Sequence, residues 1–208
     1  MPAKKFFALF FLCLTFGLTH PAFADDKAEA SVFANSLGHK ALEIISGDAP
    51  KSEKQAKLEE LFARNVDIDG IGKFVLGRNW RTATDDQKKR YLANYRTFTI
   101  KHYTANISDF TNTDFEVTRV TPDDRGGNIV AMHIKRPGQE DIVTEFDVRP
   151  MPNDGLKVYD ITVEGVSMIT TQRDEFNSVV ARDGLDHLID QLKLRSETDS
   201  GVVSKGGE

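Results

Sequence analysis

The sequence predicts an α+β domain, a four-stranded antiparallel sheet with helices packed on its concave face. Three observations carry this. Apolar residues recur at helical spacing up to His102, four segments between residues 114 and 163 are rich in Val, Ile, Phe and Thr, and helical spacing returns after Met168. The turn-rich stretches "PDDRGG", "RPGQE" and "PMPNDG" separate the four β segments, and such short links between successive strands imply a meander.

The elements follow in order. Residues 1–24, "MPAKKFFALFFLCLTFGLTHPAFA", have a basic start at Lys4 and Lys5, an apolar run from Phe6 to Leu18 and a small-x-small end at Ala22-Phe23-Ala24. That is the pattern of a secretory signal cleaved after Ala24, with an apolar run shorter than the roughly 20 residues of a membrane span. Residues 25–195 are expected to form the domain, and the polar, Gly-rich end 196–208 to be a disordered tail. Phe33, Leu37, Ala41, Ile44 and Ile45 mark an amphipathic helix over 27–46. Ser52 with Gln55, and Thr84 with Gln87, are capping-box spacings opening two further helices, the second with Tyr91, Tyr95, Phe98 and His102 along one face. The strands are expected at 114–121, 128–136, 141–149 and 156–163. In the third, Ile142, Thr144, Phe146 and Val148 alternate with Val143, Glu145, Asp147 and Arg149, which suits a sheet with one buried face. Phe176, Val179 and Val180, then Leu185, Leu188, Ile189 and Leu192, mark two closing helices.

Composition narrows the function. The one cysteine, Cys13, falls in the predicted leader, so the mature chain has no disulfide and relies on its own core, which fits a periplasm. Losing Lys4 and Lys5 takes the formal charge from −5 to −7, against nucleic-acid binding, which needs a concentrated basic face. His39, His102, His133 and His187 are scattered over different elements with no metal-ligand spacing, so no metal site is expected. Ser167 lies in "EGVSM", outside a nucleophile-elbow pattern, and the adjacent Asp174 and Glu175 point to different sides of a helix. Gly70, Gly72 and Gly77 lack phosphate-loop spacing. Tyr159 or Asp160 at the mouth of the domain is the remaining acid–base candidate, weighed against a half-buried packing role. The sequence is read as a non-enzyme with no catalytic residue and no cofactor.

The stretch "GKFVLGRNWRTATDDQ" places the single tryptophan, Trp80, between Arg78 and Arg81, behind an apolar run too broken by glycine for an ideal helix. Together with "FEVTRV" and "VYDITVEGVSMITTQRDEFNSVVARDGLDHLIDQL" it resembles the MlaC family, over about residues 30–194 in consistent order. The segments weighted most are Gly77-Arg78-Trp80-Arg81 and Glu164-Gly165-Val166-Ser167-Met168, with Gln172, Arg173 and Phe176 beyond. The resemblance implies a nuclear-transport-factor-like cone with extra helices and acyl chains inside. It implies a periplasmic phospholipid carrier that serves outer-membrane lipid asymmetry between an inner-membrane ABC transport complex and an outer-membrane lipoprotein complex.

On that reading Phe74, Trp80, Tyr95, Phe98, Phe115, Phe146, Val148, Ile161, Val163, Val166 and Met168 are the expected lipid-binding residues, with Arg78 and Arg81 at the head group of the bound phospholipid. The chain is expected to act as a monomer. Two alternatives stay open for single residues: Trp80 plugs the core, and Arg78 pairs with Glu164. At the level of function the alternatives are a hopanoid-related lipid carrier of the same family and an exported interaction module without ligand.

Overall fold

The computed structural model describes residues 22–105 and 112–198. Five helices come first: α1 (Ala22–Ser46), α2 (Lys51–Asn65), α3 (Ile68–Leu76), α4 (Arg78–Thr82) and α5 (Asp85–Thr104). The strands β1 (Asp114–Pro122), β2 (Asn128–Lys135), β3 (Ile142–Met151), β4 (Gly155–Val163) and β5 (Val166–Ser167) follow, then α6 (Met168–Asp183) and α7 (Leu185–Thr198). The predicted leader falls almost wholly outside the described residues, as do residues 199–208 of the predicted tail.

The α+β class and the antiparallel meander hold, in the order β1-β2-β3-β4-β5, but the sheet has five strands, not four. The fifth exists because Glu164 and Gly165, at φ 48° and 81°, make a two-residue turn that folds Val166 back onto Val163. Positive φ at both central positions matches the twist of the flanking strands. Two residues pair before the chain leaves as α6, too few for periodicity to reveal.

Three local expectations change. Ser52 is not a cap: α2 begins after Pro50, with no side-chain capping bond, because proline pre-sets the φ of a helix start. The Thr84–Gln87 box does form, each side chain bonded to the other residue's backbone N–H. The Gly-broken run 68–76 is a helix after all, capped by Asp67, whose carboxylate accepts from the Gly70 N–H at 3.1 Å. Gly70 and Gly72 each cost about 1 kcal/mol of helix propensity. Burial of Ile68, Ile71, Val75 and Leu76 offsets that, at about 1.5–3 kcal/mol per side chain. Gly72 is needed there, since a Cβ would stand 2.8 Å from the Tyr95 ring. Finally, α7 runs three residues past the predicted domain end at 195, because Ser196 is buried and its carbonyl accepts from Lys101 Nζ at 2.7 Å.

Two cores result. In the first, α3, α5, α6 and α7 bury Tyr91, Tyr95, Phe98, Phe176, Leu188, Ile189 and Leu192, and the Tyr91 hydroxyl donates to the Gly72 carbonyl at 2.9 Å. In the second, Ala30 and Ala34 let α1 approach Val130, Met132 and Val148 on the sheet. Val148 and Val158 are register partners, so they share one face; Val148 belongs to the α1 core, and Val158 is bridged to Val66 at the end of α2. That face is covered by α1, while the α2–α3 segment adjoins the edge of the sheet at β4. The alternation expected in β3 is kept, with one addition. Asp147 on the second face is also buried, held by Arg149 at 2.6 Å, and Arg149 in turn lies 3.7 Å from the Tyr159 ring centre.

Candidate functional site

At the edge of the helical core, β4 and the helices leave a cavity of about 40 Å³. Each wall is a periodic stripe. From α5 come Tyr95, Thr99 and Tyr103, four residues apart; from α6 come Met168, Ile169 and Gln172; from β4 the run Val158 to Ile161; and Phe62, Val66 and Ile71 close it from the α2–α3 side. The lining is almost entirely apolar or aromatic.

Its polar atoms are few and mostly fixed. The Tyr95 hydroxyl donates to Gln172 Oε1 at 2.7 Å, both groups being buried. Burial raises the Tyr95 pKa far above its ordinary value and pushes Tyr103 up to about 12, so both rings stay protonated at neutral pH. Asp160 has a structural task. One carboxylate oxygen accepts from Ser167 Oγ at 2.6 Å and the other from the Ile169 N–H at 3.2 Å, while Ser167 caps the Thr170 N–H, so the pair starts α6. Thr99 Oγ1 is buried without a hydrogen bond. It lies near enough to the Tyr95 hydroxyl to oppose the effect of burial on that ring, but the Tyr95 proton is given to Gln172.

Of the expected lipid-binding residues, the fold brings Tyr95, Ile161 and Met168 to this cavity. Phe98 is buried in the helical core, stacked on His102. Phe74 packs edge-on to Tyr159 with the Arg173 guanidinium 4.8 Å from its ring centre. Phe115, Phe146 and Val148 belong to the core under α1. Val163 sits at the last rung of β4, and Val166 beyond the turn is 52 % exposed. Trp80 is half-buried against the helical core, with the ammonium groups of Lys73 and Lys88 5.8 and 5.7 Å from its ring centre. Arg78 and Arg81 are exposed on α4. The Arg78–Glu164 pairing does not form, since Glu164 accepts from the Val143 N–H at 2.6 Å.

Sequence reasoning missed Thr99 and Tyr103, and it weighted Gln172 in the resemblance without giving it a binding role. The signal for the first two was present, because they continue the four-residue stripe from Tyr95, but the choice of Phe98 and His102 as its face followed hydrophobicity alone. The cavity is smaller than the acyl chains implied by the resemblance would fill. About 40 Å³ is close to one water's share of liquid, about 30 Å³, and well below the roughly 300–1,000 Å³ of ligand pockets. A surface groove of about 270 Å³ beside α1 is larger, but Glu29, Lys40 and Asn65 line it with Val32, Phe33 and Leu37. Among the described residues no cluster of three or more His, Cys, Asp or Glu is placed to hold a metal, and no helix is long and apolar enough to cross a membrane.

Comparison with known proteins gives three findings. The family described as "MlaC protein" matches residues 36–194. The intermembrane phospholipid transport system binding protein MlaC of Haemophilus influenzae is 22 % identical over 199 residues, covering 91 % of this chain and 92 % of that protein. A phospholipid-binding protein from Ralstonia solanacearum, solved in complex with a phospholipid, superposes with a TM-score of 0.71 at 21 % identity, over 82 % of this chain and 98 % of that one. At that identity the likeness establishes the fold.

Proposed function

The chain belongs to the MlaC family, and from that premise we propose that it is a periplasmic phospholipid carrier, exported by a leader cleaved after Ala24. The observation that carries the reading is the apolar cavity between β4 and the helices, at the edge of the helical core. The fold is read as a nuclear-transport-factor-like cone that opens to admit acyl chains. The wall that moves is α2, which buries a single residue, Leu58.

Energetics define the mode of action. At about 0.8 kcal/mol per buried methylene, two chains of roughly 15 carbons amount to about 20 kcal/mol relative to water. The lipid therefore passes between apolar environments, and the donor and acceptor are an inner-membrane ABC transport complex and an outer-membrane lipoprotein complex, in keeping with a role in outer-membrane lipid asymmetry.

Native mass spectrometry of protein purified from membrane-containing cells, followed by lipid extraction, is expected to show bound glycerophospholipid. Loaded with labelled phospholipid, the protein is expected to keep it when mixed with empty protein or plain liposomes and to release it to liposomes carrying the transport complex. Rapid equilibration with plain liposomes would contradict the partner-dependent step. A second reading, an exported interaction module without ligand, draws on the small cavity volume; consistent absence of lipid across preparations decides for it.

Arg78 and Arg81 are proposed to meet the phosphate at the mouth. Both are exposed, so Arg78→Glu and Arg81→Glu are expected to leave the melting temperature nearly unchanged and to lower occupancy by anionic phospholipid about fivefold. A fall in melting temperature with normal lipid content assigns the arginines to structure instead.

A further inference from the structure

The cavity contains an imbalance that packing does not require. A buried hydroxyl without a partner is uncommon in a folded chain and costs about 1–3 kcal/mol, yet Thr99 Oγ1 is such a group, on a side chain only 2 % exposed. Gln172, also buried, lines the same cavity. Gln172 Oε1 is occupied by the Tyr95 hydroxyl, which fixes the amide with its N–H₂ as the remaining free end. That N–H₂ makes no hydrogen bond among the described residues. One O–H thus stands buried and unspent, and one N–H₂ stands without a partner among the described residues, on the wall of the same apolar cavity.

Resting on the carrier reading above, we propose that Thr99 and Gln172 form a hydrogen-bonding site for the ester carbonyl of an acyl lipid, anchoring the chain at its first carbons inside the domain. Two donors with no acceptor of their own select a ligand acceptor. Charge decides which kind. No Lys or Arg lines the cavity, and Asp160 does, so a phosphate or carboxylate would be buried unpaired beside a carboxylate. A neutral carbonyl meets neither penalty. The volume, about 40 Å³, also suits one small polar group at this point and not a head group.

The test separates ester from ether. The full mature chain is loaded in competition with equal amounts of a phosphatidylglycerol bearing two ester-linked oleoyl chains and its diether counterpart with two oleyl chains, which lacks both carbonyls, and the bound ratio is read by native mass spectrometry. The native chain is expected to favour the ester about fivefold, as one recovered hydrogen bond implies. Thr99→Val, of nearly equal volume, and Gln172→Met are each expected to bring the ratio towards one, whereas Thr99→Ser, keeping the hydroxyl, retains the preference. If Thr99→Val does not fold, Gln172→Met and Thr99→Ser carry the comparison. A ratio near one in the native chain, with both lipids bound, overturns this site and leaves the carrier reading standing; it would mark the cavity as a water site. A preference that persists in both donor-removing variants also overturns it. Loading of neither lipid overturns the carrier reading itself, and this site with it.

Discussion

Ile161→Trp is expected to abolish lipid loading while the domain stays folded. Ile161 is half-buried on β4, pairs with Phe146 across the sheet, and lines the cavity opposite Tyr95 and Thr99. An indole there adds more volume than the roughly 40 Å³ available, so it fills the starting point from which β4 and the helices must part to admit a chain. Overpacking of this kind costs about 1–3 kcal/mol, which a domain of this size tolerates, so loss of lipid and loss of fold are separable by circular dichroism and thermal melting. At least a tenfold fall in co-purified phospholipid is expected. Val163→Trp is the control, because Val163 ends β4 away from the cavity and its substitution is expected to leave loading near normal. Equal lipid content in the native chain and Ile161→Trp would show that the acyl chains lie elsewhere.

The largest loss of stability is expected from Phe176→Ala, about 3–5 kcal/mol by chemical denaturation. Phe176 is 2 % exposed on α6, its ring meets Tyr95 edge-on at 6.2 Å between centres, and it joins the helices α3, α5, α6 and α7 into one core. Truncation leaves a void among side chains already constrained from several directions: Tyr95 by Gln172 and by Gly72 beneath its ring, Tyr91 by the Gly72 carbonyl. Such a site relaxes little, which places the cost toward the upper end. Phe176→Leu, retaining most of the volume, is expected to cost less than half as much. A loss below about 1 kcal/mol for Phe176→Ala would mean that the core collapses around the gap, against the packing described.

The two substitutions act on different parts of the molecule, and their legibility in the sequence differs accordingly. Phe176 belongs to a helix-spaced apolar set, and its burial follows from periodicity. Ile161 was legible as inward-facing from strand alternation, but its place at a cavity was not distinguishable from that of Phe146 or Val148, which share its character and lie under α1. Thr99 and Gln172 were passed over as binding residues because a polar residue in an amphipathic helix is usually a surface residue. Burial of a particular Thr or Gln is decided by which helix face meets the sheet.

The sequence by itself determined the class, the four main strands and their turns, the Thr84–Gln87 helix start and the end of the first helix at Ser46, since these depend on interactions within a few residues of the chain. The resemblance carried by residues 30–194 also placed it in the MlaC family. Only the tertiary structure decided that 68–76 is a helix, because the burial that offsets Gly70 and Gly72 comes from α5 and α6, distant in sequence. It also decided which apolar residues reach the cavity, how small that cavity is, and that Thr99 is left without a partner. Those properties belong to the space between elements, and the gap left there is set by how whole helices and strands settle against one another, which no local pattern along the chain encodes.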